Sequence, residues 1–146
     1  MELILITLLI LPFIIIFYKR NRFFPWSTCL NLYRMRDMLE GTDNARKFYQ
    51  IYSDIIKVSK TPYIIIDTNH YAVSVPESKI DHVKDEITLS IHTAAIRGAH
   101  YQNNTLKFHA TFDKISTEVI VPITAIKALY AKEDGIGIEF GEDNSH

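Results

Sequence analysis

Six histidines are the first residues here that could carry chemistry: His70, His82, His92, His100, His109 and His146. A helical metal site needs two ligands four residues apart on one face, as in His-Glu-x-x-His, and that spacing does not occur. His92 and His109 fall on the polar faces of two strand-like stretches, where a groove or surface histidine is the simpler reading. Cys29 is the one cysteine. It excludes both an internal disulfide and a Cys-x-x-Cys knuckle, and a reducing compartment is the default. Lying outside the folded part, it makes a poor nucleophile. Gly135-Ile136-Gly137 lacks the third glycine and the following helix of a dinucleotide site, so it reads as a turn. Asp81, Asp85 and Glu86 form a loop cluster of the ordinarily solvated kind. There is no Gly-x-Ser-x-Gly and no phosphate-binding loop. With no nucleophile, base and orienting group assembled, the sequence predicts a binding protein rather than an enzyme, with no metal and no cofactor.

The chain has 146 residues, 47% of them apolar and 23% charged. That fits one folded domain. A net charge of −1 gives no reason to expect nucleic acid as a partner. The charge is unevenly spread. Residues 1–34 carry Lys19, Arg20, Arg22 and Arg34 against Glu2, and residues 35–146 carry a net excess of acid. Leu3 to Tyr18 is an apolar run broken by Thr7 and Pro12. As a helix it would be roughly 24 Å long, against a hydrocarbon core of about 30 Å. Lys19-Arg20-Asn21-Arg22 follows, which would keep that end in the cytoplasm. Two readings of residues 1–34 stand side by side. One is a membrane anchor through residues 3–18. The other is a coding start placed too early, with translation beginning at Met35 or Met38. On the second reading residues 35–146 fold and dimerise alone.

The elements that must position any site follow. Thr42, Asp43 and Asn44 are helix N-cap residues. Ala45, Phe48, Tyr52, Ile55 and Ile56 then recur at three- and four-residue steps, one stripe of an amphipathic helix over residues 42–60. Ile51 and Val58 add a second, narrower stripe, and Pro62 stops the helix. Beyond it the period becomes two. Strands are expected at Tyr63–Asp67, Tyr71–Val75, Ile87–Ile91, Leu106–Phe112, Val119–Val121 and Ile136–Phe140, with one or two helical turns in Ile123–Tyr130. Turns fall at Thr68-Asn69, Asn103-Asn104 and Glu133-Asp134-Gly135. One helix and about six short strands predict a small barrel or sandwich. His92-Thr93-Ala94-Ala95-Ile96 offers small side chains beside a strand end. An extended peptide could be added there through main-chain hydrogen bonds; alternatively the alanines only let two strands pack closely.

From Thr61 onward the chain resembles the stringent starvation protein B (SspB) family. The resemblance rests on Thr61-Pro62-Tyr63-Ile64-Ile65-Ile66-Asp67, Val73-Ser74-Val75-Pro76, Ile87-Thr88-Leu89-Ser90-Ile91 with Ala95-Ile96, and Leu106-Lys107-Phe108-His109-Ala110-Thr111-Phe112. It continues through Val119–Pro122, Ala125–Glu133, Gly135 and Phe140, and takes in the helix with Phe48, Tyr49 and Tyr52.

The resemblance implies a mainly β fold with an N-terminal α-helix: a small, partly open antiparallel β-barrel of Sm-like type over residues 61–140. It implies a cytoplasmic, non-catalytic adaptor that binds ssrA-tagged proteins for the ClpXP protease. The helix would form a homodimer interface through Phe48, Ile51, Tyr52 and Ile55. The peptide groove would be built from Val73, Val75, His92, Thr93, Ala94, Ala95, Ile96, Phe108, Ala110, Thr111 and Phe112. Two departures stand out. Thr93-Ala94 replaces the family's Pro-Arg, and Ala110-Thr111-Phe112-Asp113-Lys114 replaces Ala-Arg-Phe-Gly-Gly. Arg97, Lys107 or Lys114 would then have to supply the missing positive charge. Residues 141–146 are a polar tail without the family's basic, apolar ClpX-docking motif. ClpX is therefore expected to be engaged weakly, leaving a tail-less or membrane-anchored peptide binder as the alternative. An Sm-like RNA-binding barrel is a further alternative, disfavoured by the acidic balance of residues 35–146.

Overall fold

The computed structural model of the chain describes residues 32–141. The apolar run 3–18, Lys19–Arg22, Cys29 and residues 142–146 lie outside the described residues. Among the described residues no helix is long and apolar enough to cross a membrane. A short 3₁₀ turn, Arg36–Glu40, leads into α1, Asp43–Lys57. Thr42 caps α1 as its sequence predicts, with Oγ1 accepting from the Ala45 N–H at 3.3 Å. Ala45, Phe48, Tyr52 and Ile55 form the buried stripe.

Among the described residues seven strands follow: β1 Pro62–Asp67, β2 Glu86–Ser90, β3 Ile96–Gln102, β4 Thr105–Phe112, β5 Ile115–Pro122, β6 Ile126–Ala131 and β7 Gly137–Glu139. They make two antiparallel sheets, a four-stranded one in the order β2-β1-β6-β7 and a three-stranded one in the order β3-β4-β5. Among the described residues no closed barrel forms; the mainly β, antiparallel arrangement preceded by a helix is as expected. The chain changes sheet at Pro122, which has no N–H for further pairing. The 3₁₀ turn Ile123–Ala125 redirects it, and β6 then pairs with β1.

Three expectations from periodicity change. Tyr71–Val75 is not a strand; it touches a sheet only at the bridge Ser74↔Ile120. Ile123–Tyr130 holds one short turn and then β6, whose apolar residues face different neighbours on both sides and so mimic a helical run. β3 was not expected at all. Its alternation is broken by a bulge between Arg97 and His100, where Gly98 takes φ +63°. The bulge lets Ile96 and Ala99 both reach the core.

One hydrophobic core lies between α1 and the sheets. Phe48, Tyr52, Ile64, Ile66, Ile91, Leu106, Phe108, Val119 and Leu129 are all buried in it. Phe48 stacks on Tyr52 at 6.2 Å and meets Phe140 at 6.3 Å.

Candidate peptide-binding groove

The three-stranded sheet has one apolar face, and its cover runs out toward one end. Along β4, Leu106 and Phe108 are fully buried, whereas Ala110 and Phe112 are only half-buried. Opposite them on β5, Val121 and Val119 are buried, Thr117 is half-buried and Ile115 is 68% exposed. Ala110 pairs with Ile96 of β3 on one side and Thr117 of β5 on the other. The result is an uncharged ledge of Ala110, Phe112, Ile115 and Thr117 that continues the core into solvent. The β4–β5 turn at its end is a tight one, with Asp113 at φ +50° and Lys114 at φ +68°.

The excursion between β1 and β2 supplies one wall. It crosses to the edge of β5, where Ser74 and Ile120 exchange hydrogen bonds of 2.9 and 3.0 Å. Side chains alternate along an extended chain, so Val73 and Val75 fall on the ledge side of this bridge. Both are partly buried against the core. The opposite wall is the turn His92–Ala95, closed by the Ala95 N–H donating to the His92 carbonyl at 2.8 Å. Its base is pinned from α1, because the buried Tyr52 hydroxyl donates to the Ile91 carbonyl at 3.0 Å. Burial raises the Tyr52 pKa, so the phenol remains a donor throughout the ordinary pH range.

The expected groove residues therefore divide. Val73, Val75, His92, Ala94, Ala95, Ala110 and Phe112 offer surface around the ledge. Thr93, Ile96 and Phe108 are 4%, 2% and 1% exposed and support the groove from within. Thr111 points from the opposite sheet face, beside Ser116. Arg97 and Lys107 are on that opposite face too, paired with His109 and Ile120. Of the three candidate cations, Lys114 alone sits at the ledge, in the turn after Phe112. Ile115, Thr117 and Tyr52 are additions to the expected set. Ile115 and Thr117 were legible as an earlier start to the alternation of β5; nothing in the sequence marked Tyr52 as a hydrogen-bond donor to a distant loop.

A second apolar surface lies at the far end of α1. Phe48, Tyr52 and Ile55, expected at a dimer interface, are covered within the subunit at 0%, 0% and 7% exposure. Ile51 is half-buried, and with Val58 and Ile136 it lines a groove of about 240 Å³ between α1 and the β6–β7 turn. Val58 and Ile136 are 61% and 71% exposed. Polar clamps hold the rim. Glu133 accepts from the Thr61 N–H at 2.9 Å and from Thr61 Oγ1 at 2.6 Å, and Lys60 pairs with Asp134. Hydrogen bonds from Thr61 hold the Glu133 carboxyl below its usual pKa, and the Lys60 hydrogen bond does the same for Asp134. Among the described residues no cluster of three or more His, Cys, Asp or Glu is arranged to hold a metal.

Comparison with known proteins gives a concordant match. The family model of stringent starvation protein B matches residues 42–146. A stringent starvation protein B homolog of Haemophilus influenzae is 33% identical over 90 residues, 61% of this chain and 58% of that relative. The match thus spans little more than half the length of the relative.

Proposed function

Because this chain belongs to the stringent starvation protein B family, we propose that it is a cytoplasmic adaptor that binds ssrA-type degradation-tag peptides and brings tagged proteins to ClpXP. The observation that carries the reading is the uncharged ledge at Ala110 and Phe112, left open between two ordered walls. Such a ledge suits an extended peptide with small and apolar side chains, whose alternate residues meet the surface. The adaptor has no catalytic role: it binds and delivers. A homodimer is part of the proposal, formed by two copies meeting through Ile51, Val58 and Ile136. These residues lie on the narrow second stripe of α1 and the adjoining β6–β7 turn, the apolar surface beside α1 that the subunit does not itself cover.

The test is a titration of fluorescent ssrA-type peptide against the full chain, beside a scrambled peptide. Saturable binding of the tag peptide alone supports the reading. Equal binding of both peptides, or of neither, refutes it. The Michaelis constant of ClpXP for a tagged substrate, with and without the protein, tests delivery separately from binding.

A further inference from the structure

The two walls of the groove are closed by the same local device. His70 and His92 each occupy the first position of a β-turn. The His70 carbonyl accepts from the Val73 N–H at 3.1 Å, and the His92 carbonyl accepts from the Ala95 N–H at 2.8 Å. In each turn the imidazole also takes part. His70 Nδ1 accepts from the Ala72 N–H at 3.2 Å, and His92 Nδ1 accepts from the Ala94 N–H at 3.1 Å. This is the role an Asn or Asp oxygen plays in an Asx-turn. A backbone N–H can only donate, so both Nδ1 atoms must be unprotonated. His70 Nε2 then carries the proton and donates to Thr124 Oγ1 at 3.1 Å.

We infer that the groove is a pH-gated peptide site, in which protonation of His70 and His92 opens both walls and releases bound peptide. The inference rests on the peptide-binding reading of the groove. A protonated imidazole is a donor at both nitrogens and cannot accept the Ala72 or Ala94 N–H. Histidine is the side chain whose charge changes in the mildly acidic range. The first turn leads directly into Val73-Ser74-Val75, and the second into Ile96 beside Ala110. Opening either one unseats a wall, and an open wall lowers the binding-competent fraction, hence the apparent affinity.

Among the described residues the Thr124 hydroxyl and the Tyr71 ring meet the His70 imidazole, and no carboxylate is paired with it to favour the charged form. Tyr71 stacks on His70 with 5.0 Å between ring centroids. The carboxylate of Asp67 accepts from the Asn69 N–H, and the phenol of Tyr52 donates to Ile91. His109, on the opposite sheet face, faces Glu118 at 3.9 Å. Among the described residues no carboxylate forms an ion pair with His70 or His92.

The experiment titrates fluorescent ssrA-type peptide against the full chain at about pH 8 and about pH 5.5, which bracket the imidazole transition. The same titration is run on the double variant His70→Asn/His92→Asn, which keeps an acceptor in each turn but cannot be protonated. The wild type is expected to weaken at the lower pH by about fivefold for each turn that opens, the worth of one ordinary hydrogen bond. The double variant is expected to bind equally at both. Amide resonances of Ala72 and Ala94 in the peptide-free protein should move over the same range. Equal pH dependence in wild type and double variant overturns the inference, as do amide resonances that stay fixed. If peptide binds neither protein at either pH, the groove reading fails and takes peptide release with it, while the amide titration still reports separately on the turns.

Discussion

Replacing Tyr52 by Phe removes one oxygen from the centre of the molecule and little else. The ring keeps its place against Phe48 at 6.2 Å, and no void opens beyond the space of the hydroxyl. The lost contact is the 3.0 Å hydrogen bond to the carbonyl of Ile91, made by a side chain with no solvent exposure to a residue that also has none. The carbonyl is left without this donor and out of reach of bulk water, which costs about 1–3 kcal/mol. At roughly 4 °C per kcal/mol for a domain near this size, the midpoint of thermal unfolding should fall by about 4–12 °C. The assay is urea unfolding of wild type and Tyr52→Phe followed by circular dichroism, with melting curves at several protein concentrations. The loss should be the same at every concentration, because the bond lies inside one subunit. A change below about 0.5 kcal/mol would show that the hydroxyl carries no such bond, since that is the range of ordinary surface substitutions. A loss that fades as concentration rises would instead place Tyr52 between subunits and refute the assignment. Peptide affinity should fall as well, because Ile91 precedes the turn that forms one wall of the groove.

The substitution Ala110→Gln should abolish tag-peptide binding while leaving a folded domain, read by peptide titration beside thermal unfolding; unchanged affinity in a folded variant removes Ala110 from the site. A Cβ on Gly137 would sit 2.0 Å from the Leu129 carbonyl oxygen and 2.5 Å from Tyr130 Cα. Gly137→Ala should therefore unpair β7 from β6 and cost on the order of 1–3 kcal/mol, as other overpacked sites do; hydrogen exchange at β7 that stays slow would contradict this. Glu133 and Asp134 both have pKa values lowered in the folded chain from 4.5 and 3.8. Their contribution is therefore complete above those values and is lost as pH falls below them. Glu133→Gln should flatten the acid limb of stability against pH, and an unaltered limb would mean that other carboxylates set it. Val58→Asp should shift sedimentation from dimer to monomer without changing the far-ultraviolet spectrum; a variant that still dimerises would move the interface elsewhere.

The sequence alone determined the local features of this protein. The capping Thr42, the buried helical stripe and Pro62 marked α1, because these signals act within a few residues. Strict alternation exposed β4 and β2, because one face of each meets the core, and the short apolar run Tyr63–Ile66 between Pro62 and the Thr68-Asn69 turn marked β1. The resemblance from Thr61 onward pointed to the family before any geometry was known. Long-range pairing was decided only in three dimensions. β3 is hidden in sequence because the bulge at Gly98 breaks its period, and β6 because it is apolar on both sides. Tyr71–Val75 looks like a strand, yet it becomes a wall held by a single bridge, Ser74↔Ile120, with Pro76, which has no N–H to pair, directly after it. The two stripes of α1 were legible as two stripes; which one stays inside the subunit was not. Phe48, Tyr52 and Ile55 went inward, toward the sheets and Ile91, leaving Ile51 and Val58 for the outside. Period shows that two faces are apolar, but only the packing partners decide which face is covered. In the groove, residue types suggested small and apolar contacts near Ala95 and Ala110. The register of β3, β4 and β5 decided that Thr111, Arg97 and Lys107 face away, because alternate residues of a strand project from opposite faces of its sheet.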